Sequence, residues 1–480
     1  MQSRAQIMAF ALAVFAAATV SDDPAAAAAA LPGRPNIILV MTDDQGYGEL
    51  ACHGNPILKT PNLDRLYRES VRFTDFHVSP TCSPTRSALM TGRHEFRSGV
   101  THTIAERERL SLKATTIAQV LQSAGYATGI FGKWHLGDQP EYQPGRRGFD
   151  EVFIHGAGGI GQTYPGSCGD APGNTYFDPA ILHNGTFEKT HGFCTDVFFA
   201  QALGWIDARR MDDKPFFVYL TPNAPHSPYV CPEKYARMYE DKGLDKDAIA
   251  YYGMISNIDD NIGTLLARLD DWQLERKTLL IFMTDNGHPL ASLYNAGMHG
   301  AKVTPYQGGT RVPSFWRWIG ALPQGVDINR LAAHIDIFPT LAELAGANVP
   351  DAVRLDGRSL VPLLVNASAD WPDRNLFVHV GRWATGKAAE SKYANCAVRN
   401  SRFRLVNDRE LFDIQSDPGE TTNVIAEHPQ AVAAMRAAYD QWWDEILPAL
   451  ENEDAVGPKV NPFKELYWKQ FGGGPEGDAN

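Results

Sequence analysis

Asn36-Ile37-Ile38-Leu39-Val40-Met41 is a continuous apolar run, rich in branched side chains, that stops at Thr42-Asp43-Asp44. A short run without polar alternation is typical of a strand that is buried on both faces, as the strands of parallel sheets are. Three similar runs occur further along the chain, at residues 126–131, 215–220 and 278–283. These four runs predict the core of a parallel sheet.

Segments with helical periodicity separate the predicted strands, at residues 61–69, 115–124 and 248–269. This alternation predicts an α/β fold, in which a large, mostly parallel sheet carries helices on both faces. Ligands of such sheets bind beyond the carboxyl ends of the strands. Polar residues follow each predicted strand at that end, namely Asp43-Asp44, Lys133-Trp134-His135, Pro225-His226 and Asp285-Asn286. The sequence therefore predicts one polar site at this edge of the sheet.

Two of these polar clusters are candidate metal ligands. The carboxylates of Asp43 and Asp44 would repel each other unless a cation lay between them. Asp285 and the carbonyl oxygen of Asn286 complete a set of oxygen donors, which suits hard Ca²⁺ or Mg²⁺ better than copper or zinc. Each cluster alone is also compatible with a helix cap or a tight turn. Their common position after buried strands favours the metal site.

The most specific motif is Cys82-Ser83-Pro84-Thr85-Arg86, which continues through Ser87-Ala88-Leu89-Met90 into Thr91-Gly92-Arg93. By itself, Cys82 could be a buried or disulfide-bonded cysteine, and Pro84 could simply open a helix. The extended motif resembles the signature of the sulfatase family, and the resemblance spans most of the mature chain. In that family, a formylglycine-generating enzyme oxidises the cysteine to formylglycine after translation. The hydrate of this aldehyde attacks the sulfur of a sulfate ester.

The resemblance implies an alkaline-phosphatase-like fold and a bound Ca²⁺ in preference to Mg²⁺. The implied metal ligands are residue 82 together with Asp43, Asp44, Asp285 and Asn286. Residue 82 would lie near the N-terminus of a helix opened by Pro84, where free N–H groups stabilise negative charge. Arg86 lies one helical turn further on, and it would bind the hydrate or anchor the metal ligands.

A second motif, Gly132-Lys133-Trp134-His135-Leu136-Gly137, also resembles the family. By that resemblance, Lys133 contacts sulfate oxygens and His135 is the base that removes a proton from the second hydroxyl of the hydrate, which expels sulfate. His226, which lies between two prolines, and Lys302 would bind sulfate and protonate the departing oxygen. Taken alone, Lys133-Trp134-His135 would favour a structural role, with His135 a satisfied loop histidine. His226 and Lys302 would each fit an incidental surface role equally well.

One stretch departs from the family pattern. In Tyr306-Gln307-Gly308-Gly309-Thr310-Arg311-Val312-Pro313, relatives usually carry Glu where this chain has Gln307. The missing charge would alter how Arg311 is held. No reactive group is lost, so we expect activity to be retained.

The N-terminus predicts export. Arg4 precedes an apolar run over residues 5–20, and Ser21-Asp22-Asp23 and a polyalanine tract follow it. This pattern is typical of a secretory signal peptide and is short for a membrane span, although an uncleaved anchor is the alternative. We therefore predict a periplasmic or secreted protein without a stable membrane span.

Composition argues against one class of partner. The chain has 480 residues and a formal net charge of −12, and it contains no basic run. Nucleic-acid binding needs concentrated Lys and Arg, so we expect no nucleic-acid partner. Six cysteines are too few for a disulfide scaffold, although export would permit Cys168 to pair with Cys194.

Four segments are predicted along the chain. They are a signal peptide with an Ala-rich linker (1–31), a catalytic domain (32–365), a smaller α+β subdomain with a short antiparallel sheet (366–450) and a loosely ordered tail (451–480). The predicted function is hydrolysis of sulfate monoesters, on a sulfated carbohydrate or on aryl sulfates. One alternative is a phosphonate or phosphate monoester hydrolase of the same superfamily. The other is a sulfated-glycan binding protein in which Cys82 is never converted.

Overall fold

The computed structural model of the protein describes residue 31, residues 33–290 and residues 292–474. Apart from residue 31, the predicted signal peptide and Ala-rich linker lie outside these residues. Among the described helices, none combines the length and the apolar character that a membrane span requires.

The described residues contain sixteen strands and eleven α-helices. The strands are β1 (Asn36–Thr42), β2 (Val71–Phe73), β3 (Phe76–His77), β4 (Ala127–Lys133), β5 (Glu151–His155), β6 (Ala180–His183), β7 (Thr186–Lys189), β8 (Phe216–Thr221), β9 (Thr278–Thr284), β10 (Ser314–Arg317), β11 (Val326–Ile328), β12 (Ala332–Ala333), β13 (Leu376–His379), β14 (Cys396–Arg399), β15 (Phe403–Val406) and β16 (Glu410–Asp413). The helices are α1 (Pro61–Arg68), α2 (Cys82–Thr91), α3 (Ile117–Ser123), α4 (Cys194–Arg209), α5 (Glu233–Ala236), α6 (Lys246–Asp271), α7 (Gln307–Thr310), α8 (Ile337–Leu344), α9 (Val361–Val365), α10 (Pro429–Ile446) and α11 (Pro462–Phe471). Short 3₁₀ helices lie at Ala51–His53, Glu95–Ser98, Pro144–Arg146, His334–Asp336, Ala389–Ser391 and Leu447–Ala449.

Ten of these strands form one large sheet, in the order β11-β2-β10-β9-β1-β8-β4-β5-β6-β7. The five central strands, β9, β1, β8, β4 and β5, are parallel to one another. Antiparallel strands extend the sheet on both sides, with β10 next to β9 and with β6 and β7 beyond β5. The mostly parallel sheet that the apolar runs predict is confirmed.

Helices cover both faces of the sheet, as predicted. Along β1, Ile37, Leu39 and Met41 belong to a core that includes side chains of α3 and α8. Ile38 and Val40 point to the other face, into a core with α1, α4 and α6. Successive strand residues face opposite sides, so a strand covered on both sides must be apolar throughout. This burial explains why β1 is unbroken by polar residues until the sheet edge.

A second, smaller sheet follows the main one in the chain. Strands β13, β14, β15 and β16 are antiparallel and lie in chain order, and α10 packs on them through an apolar cluster. This confirms the predicted short antiparallel sheet. Within this sheet, a turn connects the end of β14 at Arg399 to the start of β15 at Phe403. Asn400 stabilises this turn because its Oδ1 accepts the N–H groups of Arg402 and Phe403, at 3.0 and 2.7 Å.

The structure differs from the expected loose order of the tail at α11. Phe463 in this helix is 1% exposed and packs against Phe187, with ring centroids 5.8 Å apart. The side chain of Gln470 accepts the N–H of Phe187 and donates to its carbonyl, at 2.8 and 2.7 Å. The helix thus docks on β7, the terminal strand of the sheet. Composition alone does not show this docking, because it depends on two residues among many polar ones.

We expect Phe463→Ala to lower the free energy of unfolding by about 3 kcal/mol, since it deletes a buried aromatic side chain. Phe471, at the other end of α11, is 42% exposed and provides the control. Phe471→Ala should lower the free energy of unfolding by less than about 1 kcal/mol. Urea denaturation of both variants measures the difference. Equal effects of the two substitutions would contradict the docked position of the helix.

Candidate active site

The predicted site residues meet at the carboxyl edge of the central strands. Asp43 and Asp44 directly follow β1, Lys133 ends β4, His226 lies in the loop after β8, and Asp285 follows β9. These four strands are neighbours in the sheet, so their ends lie side by side. The one polar site expected from the strand ends is therefore present.

Three cations and three carboxylates are paired in this site. The hydrogen bonds run from Lys133 Nζ to Asp43 Oδ2 (2.6 Å), from Lys302 Nζ to Asp44 Oδ2 (2.7 Å) and from Arg86 Nη2 to Asp285 Oδ2 (2.9 Å). All six side chains are buried or nearly so. Charge-assisted bonds of this kind are strong where water is excluded. The arrangement concentrates both signs of charge in one buried pocket.

Arg86 connects the helix that carries Cys82 to the sheet. Its Nη1 donates to the carbonyl oxygen of Lys133 at 3.0 Å and to Thr221 Oγ1 at 2.5 Å, while its Nη2 reaches Asp285. These acceptors stand at the ends of β4 and β8 and directly after β9. One planar guanidinium therefore fixes α2 against three strand ends.

Asp44 leaves β1 in a left-handed conformation, with φ of 65°. Its N–H donates to Asp285 Oδ1 at 3.0 Å, and its carbonyl accepts the hydroxyl of Tyr251 at 2.7 Å. Asn286 Nδ2 donates to its Oδ1 at 2.8 Å. His135 also has a positive φ, of 57°. A left-handed conformation is unfavourable for side chains other than glycine, so the surrounding hydrogen bonds must stabilise it.

The three carboxyl groups differ in acidity. Burial raises the pKa of Asp43 to about 6, with Asp44 adding to the rise and Lys133 and Arg86 opposing it. Burial, together with Asp43, likewise raises the pKa of Asp285 to about 6. Burial also raises the pKa of Asp44, but Lys302, His226 and Lys133 outweigh it and hold that pKa well below its ordinary value. A divalent cation would favour the ionised form of all three.

The oxygen donors of the cluster fit a hard cation. Asp43 Oδ1 and Asn286 Oδ1 are buried and have no hydrogen-bond partner. Buried polar atoms are rarely left unpaired, so each such atom calls for an explanation. Ligand atoms of Asp43, Asp44 and His226 also lie within 4.8 Å of one another. Carboxylate and amide oxygens of this kind suit Ca²⁺ or Mg²⁺.

Cys82 is the first residue of α2 and is only 3% exposed. Burial raises the pKa of its thiol, but the ammonium groups of Lys133 and Lys302 reverse this effect and leave the pKa below its ordinary value. Position 82 therefore favours negative charge. All six cysteines lie within the described residues and all are free, so Cys168 and Cys194 do not pair.

Two histidines of the predicted set lie in this site with different surroundings. His135 Nε2 is 2.7 Å from the carbonyl oxygen of Thr103, and its Nδ1 has no partner. Burial and Lys133 lower the pKa of His135 well below its usual range, which leaves a neutral imidazole. His226 Nδ1 is 2.7 Å from the carbonyl oxygen of Ser227, and its Nε2 is 3.8 Å from Asp44 Oδ2. His226 and Lys302 thus approach the same carboxylate.

Gln307, the departure from the family pattern, lies where the two sheets meet. Its N–H donates to Glu420 Oε2 at 2.8 Å, and Glu420 also pairs with Arg404 at 2.9 Å. Arg311 instead donates to the carbonyl oxygen of Thr74 and lies over the ring of Tyr47, 4.4 Å from its centroid. Arg311 is therefore held by a carbonyl group and an aromatic ring.

Several residues that shape the site carry no motif. Thr221 ends β8, so attention to strand ends could have found it, but Thr103 and Tyr251 come from distant parts of the chain. The glycine-rich loop after β5 is visible in the sequence as Gly156-Ala157-Gly158-Gly159-Ile160-Gly161. In the structure, this loop lies against both histidines of the site.

Comparison with known proteins places this geometry in a family. The sulfatase family model matches residues 35–347, and a model named N-sulphoglucosamine sulphohydrolase, C-terminal, matches residues 298–441. Human arylsulfatase A is 33% identical over 449 residues, which cover 83% of this chain and 85% of that protein. The N-acetylgalactosamine-6-sulfatase of Canis lupus familiaris is 31% identical over 378 residues, covering 74% and 70%.

Solved structures share the fold. The crystal structure of Ps i-CgsB in complex with k-i-k-neocarrahexaose has a TM-score of 0.78 and 27% identity, and the match covers 91% of this chain and 97% of that one. The phosphonate monoester hydrolase of Agrobacterium radiobacter has a TM-score of 0.61 and 22% identity, covering 86% and 96%, which shows a common fold alone. The large mixed sheet, the small antiparallel sheet and these matches together show that the chain belongs to the sulfatase family, of alkaline-phosphatase-like fold, and is a sulfuric ester hydrolase.

Proposed function

We propose that this sulfatase hydrolyses sulfate esters of carbohydrates, using formylglycine made from Cys82 and a bound Ca²⁺. The observation that carries the proposal is the position of Cys82 at the start of α2, buried in the pocket where Lys133 and Lys302 meet Asp43 and Asp44. Packing alone poorly explains why a free thiol is buried among these charged side chains. An oxygen nucleophile at residue 82 would face cations that can bind a sulfate group.

Asp43, Asp44, Asp285, Asn286 and residue 82 would hold the metal. Bound Ca²⁺ would balance the carboxylates and polarise a sulfate oxygen. With that balance provided, the ammonium groups of Lys133 and Lys302 can bind sulfate oxygens. Arg86 keeps α2 in place through its three contacts.

Transfer of sulfate begins when one hydroxyl of the hydrated residue 82 attacks sulfur. The bond between sulfur and the alcohol oxygen breaks, and His226 or Lys302 donates a proton to that oxygen. His135 then accepts, at its unpaired Nδ1, the proton of the second hydroxyl of residue 82. The carbon–oxygen bond to sulfate breaks, and the aldehyde is regenerated. The proton that the attacking hydroxyl loses replaces the one donated to the alcohol, and water then adds to the aldehyde and restores the hydrate. One turnover thus converts one ester and one water into one alcohol, one sulfate and one proton.

The relatives support a sulfated sugar as the substrate. One is named N-acetylgalactosamine-6-sulfatase, and one solved structure holds a neocarrahexaose. Export, proposed from residues 1–31, would place the enzyme where such polymers occur. We assign catalysis to residues 32–365 and the role of a supporting subdomain to residues 366–450.

Rates on a sulfate and a phosphate ester of one aryl alcohol test the reaction class. Sulfate should have the higher kcat/KM, because the leaving group is identical and only the transferred group differs. A higher kcat/KM for phosphate would support a phosphate or phosphonate hydrolase. Tight glycan binding with no turnover of either ester would support the binding protein.

Removal of divalent cations should lower kcat by at least about 100-fold, because a Lewis acid and the charge balance of three carboxylates are lost together. Added Ca²⁺ should restore activity more completely than Mg²⁺. Ca²⁺ at about 100 times its dissociation constant should also stabilise the fold by about 2.7 kcal/mol. Asp285→Asn should reduce this stabilisation. Full activity in protein shown by elemental analysis to be free of metal would contradict the proposal.

A further inference from the structure

A glycine-rich loop covers both histidines of the site. We call residues 156–161, directly after β5, the histidine-facing loop. A Cβ atom built on Gly158 would lie 2.5 Å from His135 Cε1, and one built on Gly159 would lie 3.0 Å from His226 Nδ1. Neither glycine has a positive φ. Close approach to the rings, rather than backbone conformation, therefore requires glycine at both positions.

Hydrogen bonds alone do not fix the orientation of the two rings. His135 Nε2 lies within hydrogen-bond distance of the carbonyl oxygen of Thr103. His226 Nδ1 lies within the same distance of the carbonyl oxygen of Ser227. One such bond fixes the position of a nitrogen but leaves the tilt of the ring free. The backbone of Gly158 and Gly159 lies close against the rings, because a Cβ atom on either glycine would come within 3.0 Å of a ring atom.

Two buried carboxylates hold the loop in place. The first is Asp138, whose Oδ2 alone accepts the N–H groups of Ala157 and Gly169, both at 3.0 Å. Its side chain makes no ion pair within the described parts of the chain. These two backbone N–H groups therefore compensate for the burial of Asp138 Oδ2.

The second carboxylate, Asp170, is 0% exposed and uses both of its oxygens. Its Oδ1 accepts the N–H of Gly156 at 2.9 Å, and its Oδ2 accepts the N–H of Gly161 at 2.7 Å and Asn174 Nδ2 at 2.9 Å. Asp170 thus bridges the first and last residues of the histidine-facing loop. A buried carboxylate bonded only to neutral donors is costly, so its role should exceed simple packing.

We propose that Asp170, with help from Asp138, is a positioning residue that sets the orientation of His135 and His226 through the histidine-facing loop. Neither carboxylate is placed in contact with the substrate. The effect on chemistry would pass through the backbone of Gly158 and Gly159. The kinetic consequences below rest on the proposed function, whereas the orientation of the rings does not.

Asparagine substitutions separate the two carboxylates. The loop needs an acceptor oxygen for the N–H of Gly156 and another for the N–H of Gly161. The side chain of Asp170→Asn supplies only one oxygen, so its NH₂ group must face one of these N–H groups. Asp138→Asn can keep both of its N–H partners, because a single oxygen accepts them. We expect Asp170→Asn to lower kcat by about 10- to 100-fold, while Asp138→Asn changes it by less than about 3-fold.

Alanine at the two glycines disturbs one histidine at a time. Gly158→Ala would push on His135 and slow release of sulfate, so kcat should fall by about 10- to 100-fold with kcat/KM nearly unchanged. A burst of released alcohol should appear. Gly159→Ala would push on His226 and lower kcat/KM, most for esters with poor leaving groups. Gly204 in α4 has open space around it, so Gly204→Ala is the control and should change neither constant.

The ¹³C resonances of labelled imidazole Cε1 atoms, recorded in the Cys82→Ala background, test ring orientation without activity. Gly158→Ala should shift the His135 signal, Asp170→Asn should shift both signals, and Gly204→Ala should shift neither. Unchanged signals in folded Gly158→Ala protein would overturn the proposal, even if Asp170→Asn failed to fold. Shifted signals without the kinetic split would leave the positioning intact and contradict the assigned roles of the histidines.

Discussion

Cys82→Ala is expected to reduce kcat for sulfate ester hydrolysis by at least about 10⁴-fold. An alanine can form neither the aldehyde nor its hydrate, so the nucleophile is lost while the surrounding cations remain. The residue is buried at the start of α2 with no disulfide partner, and its removal deletes a single sulfur atom from the packing. Initial rates with an aryl sulfate, measured on both proteins after purification from the same cells, give the ratio.

Cys231→Ala provides the matched control for this substitution. Cys231 is a partly buried free thiol in another part of the chain, and it should retain wild-type kcat. Thermal unfolding of the three proteins checks that each is folded. Comparable rates for wild type and Cys82→Ala would exclude covalent catalysis at residue 82.

Arg86→Met is expected to lower the free energy of unfolding by about 3–5 kcal/mol and to abolish activity. The Arg86 and Asp285 side chains are both 0% exposed, and removal of one partner leaves a buried carboxylate without its counter-charge. Thr221 Oγ1 and the carbonyl oxygen of Lys133 lose their donor at the same time. Activity should fall because α2, which carries residue 82, is no longer fixed to the strand ends.

A double-mutant cycle identifies the cause of this destabilisation. The double variant Arg86→Met/Asp285→Asn should lose at least about 1 kcal/mol less unfolding free energy than the sum of the two single losses. The second substitution removes the carboxylate charge that the first leaves without a partner. Arg146→Met, at an exposed position, should change stability by no more than about 0.5 kcal/mol. Urea denaturation of the metal-free proteins, namely wild type, the two single variants, the double variant and Arg146→Met, supplies the five free energies without a contribution from bound Ca²⁺. A loss below about 1 kcal/mol for Arg86→Met would show that the buried pair does not hold the helix.

Strand-based features of this protein could be predicted because they are local. The apolar run of β1 is unbroken since helices cover both faces, and the residue after it must lie at the sheet edge. Adjacent strand ends then bring Asp43 and Asp285 together, although 242 positions separate them in the sequence. The predicted site residues consequently gather in one pocket.

Features that depend on packing between distant segments could not be predicted. The docking of α11 on β7 depends on Phe463 meeting Phe187, and no local pattern signals that contact. The contact of Gly158 with His135 is similar, because a glycine in a loop indicates flexibility as readily as close approach. Asp170 stands in a segment without a motif, and only its hydrogen bonds identify it.

The mass of the tryptic peptide over residues 73–86, from protein expressed together with a formylglycine-generating enzyme, shows whether Cys82 is converted to formylglycine. We expect a peptide in which residue 82 carries an aldehyde oxygen in place of the thiol sulfur, as the proposed covalent mechanism requires. An unmodified thiol at Cys82, in cells that convert a control sulfatase, would contradict it.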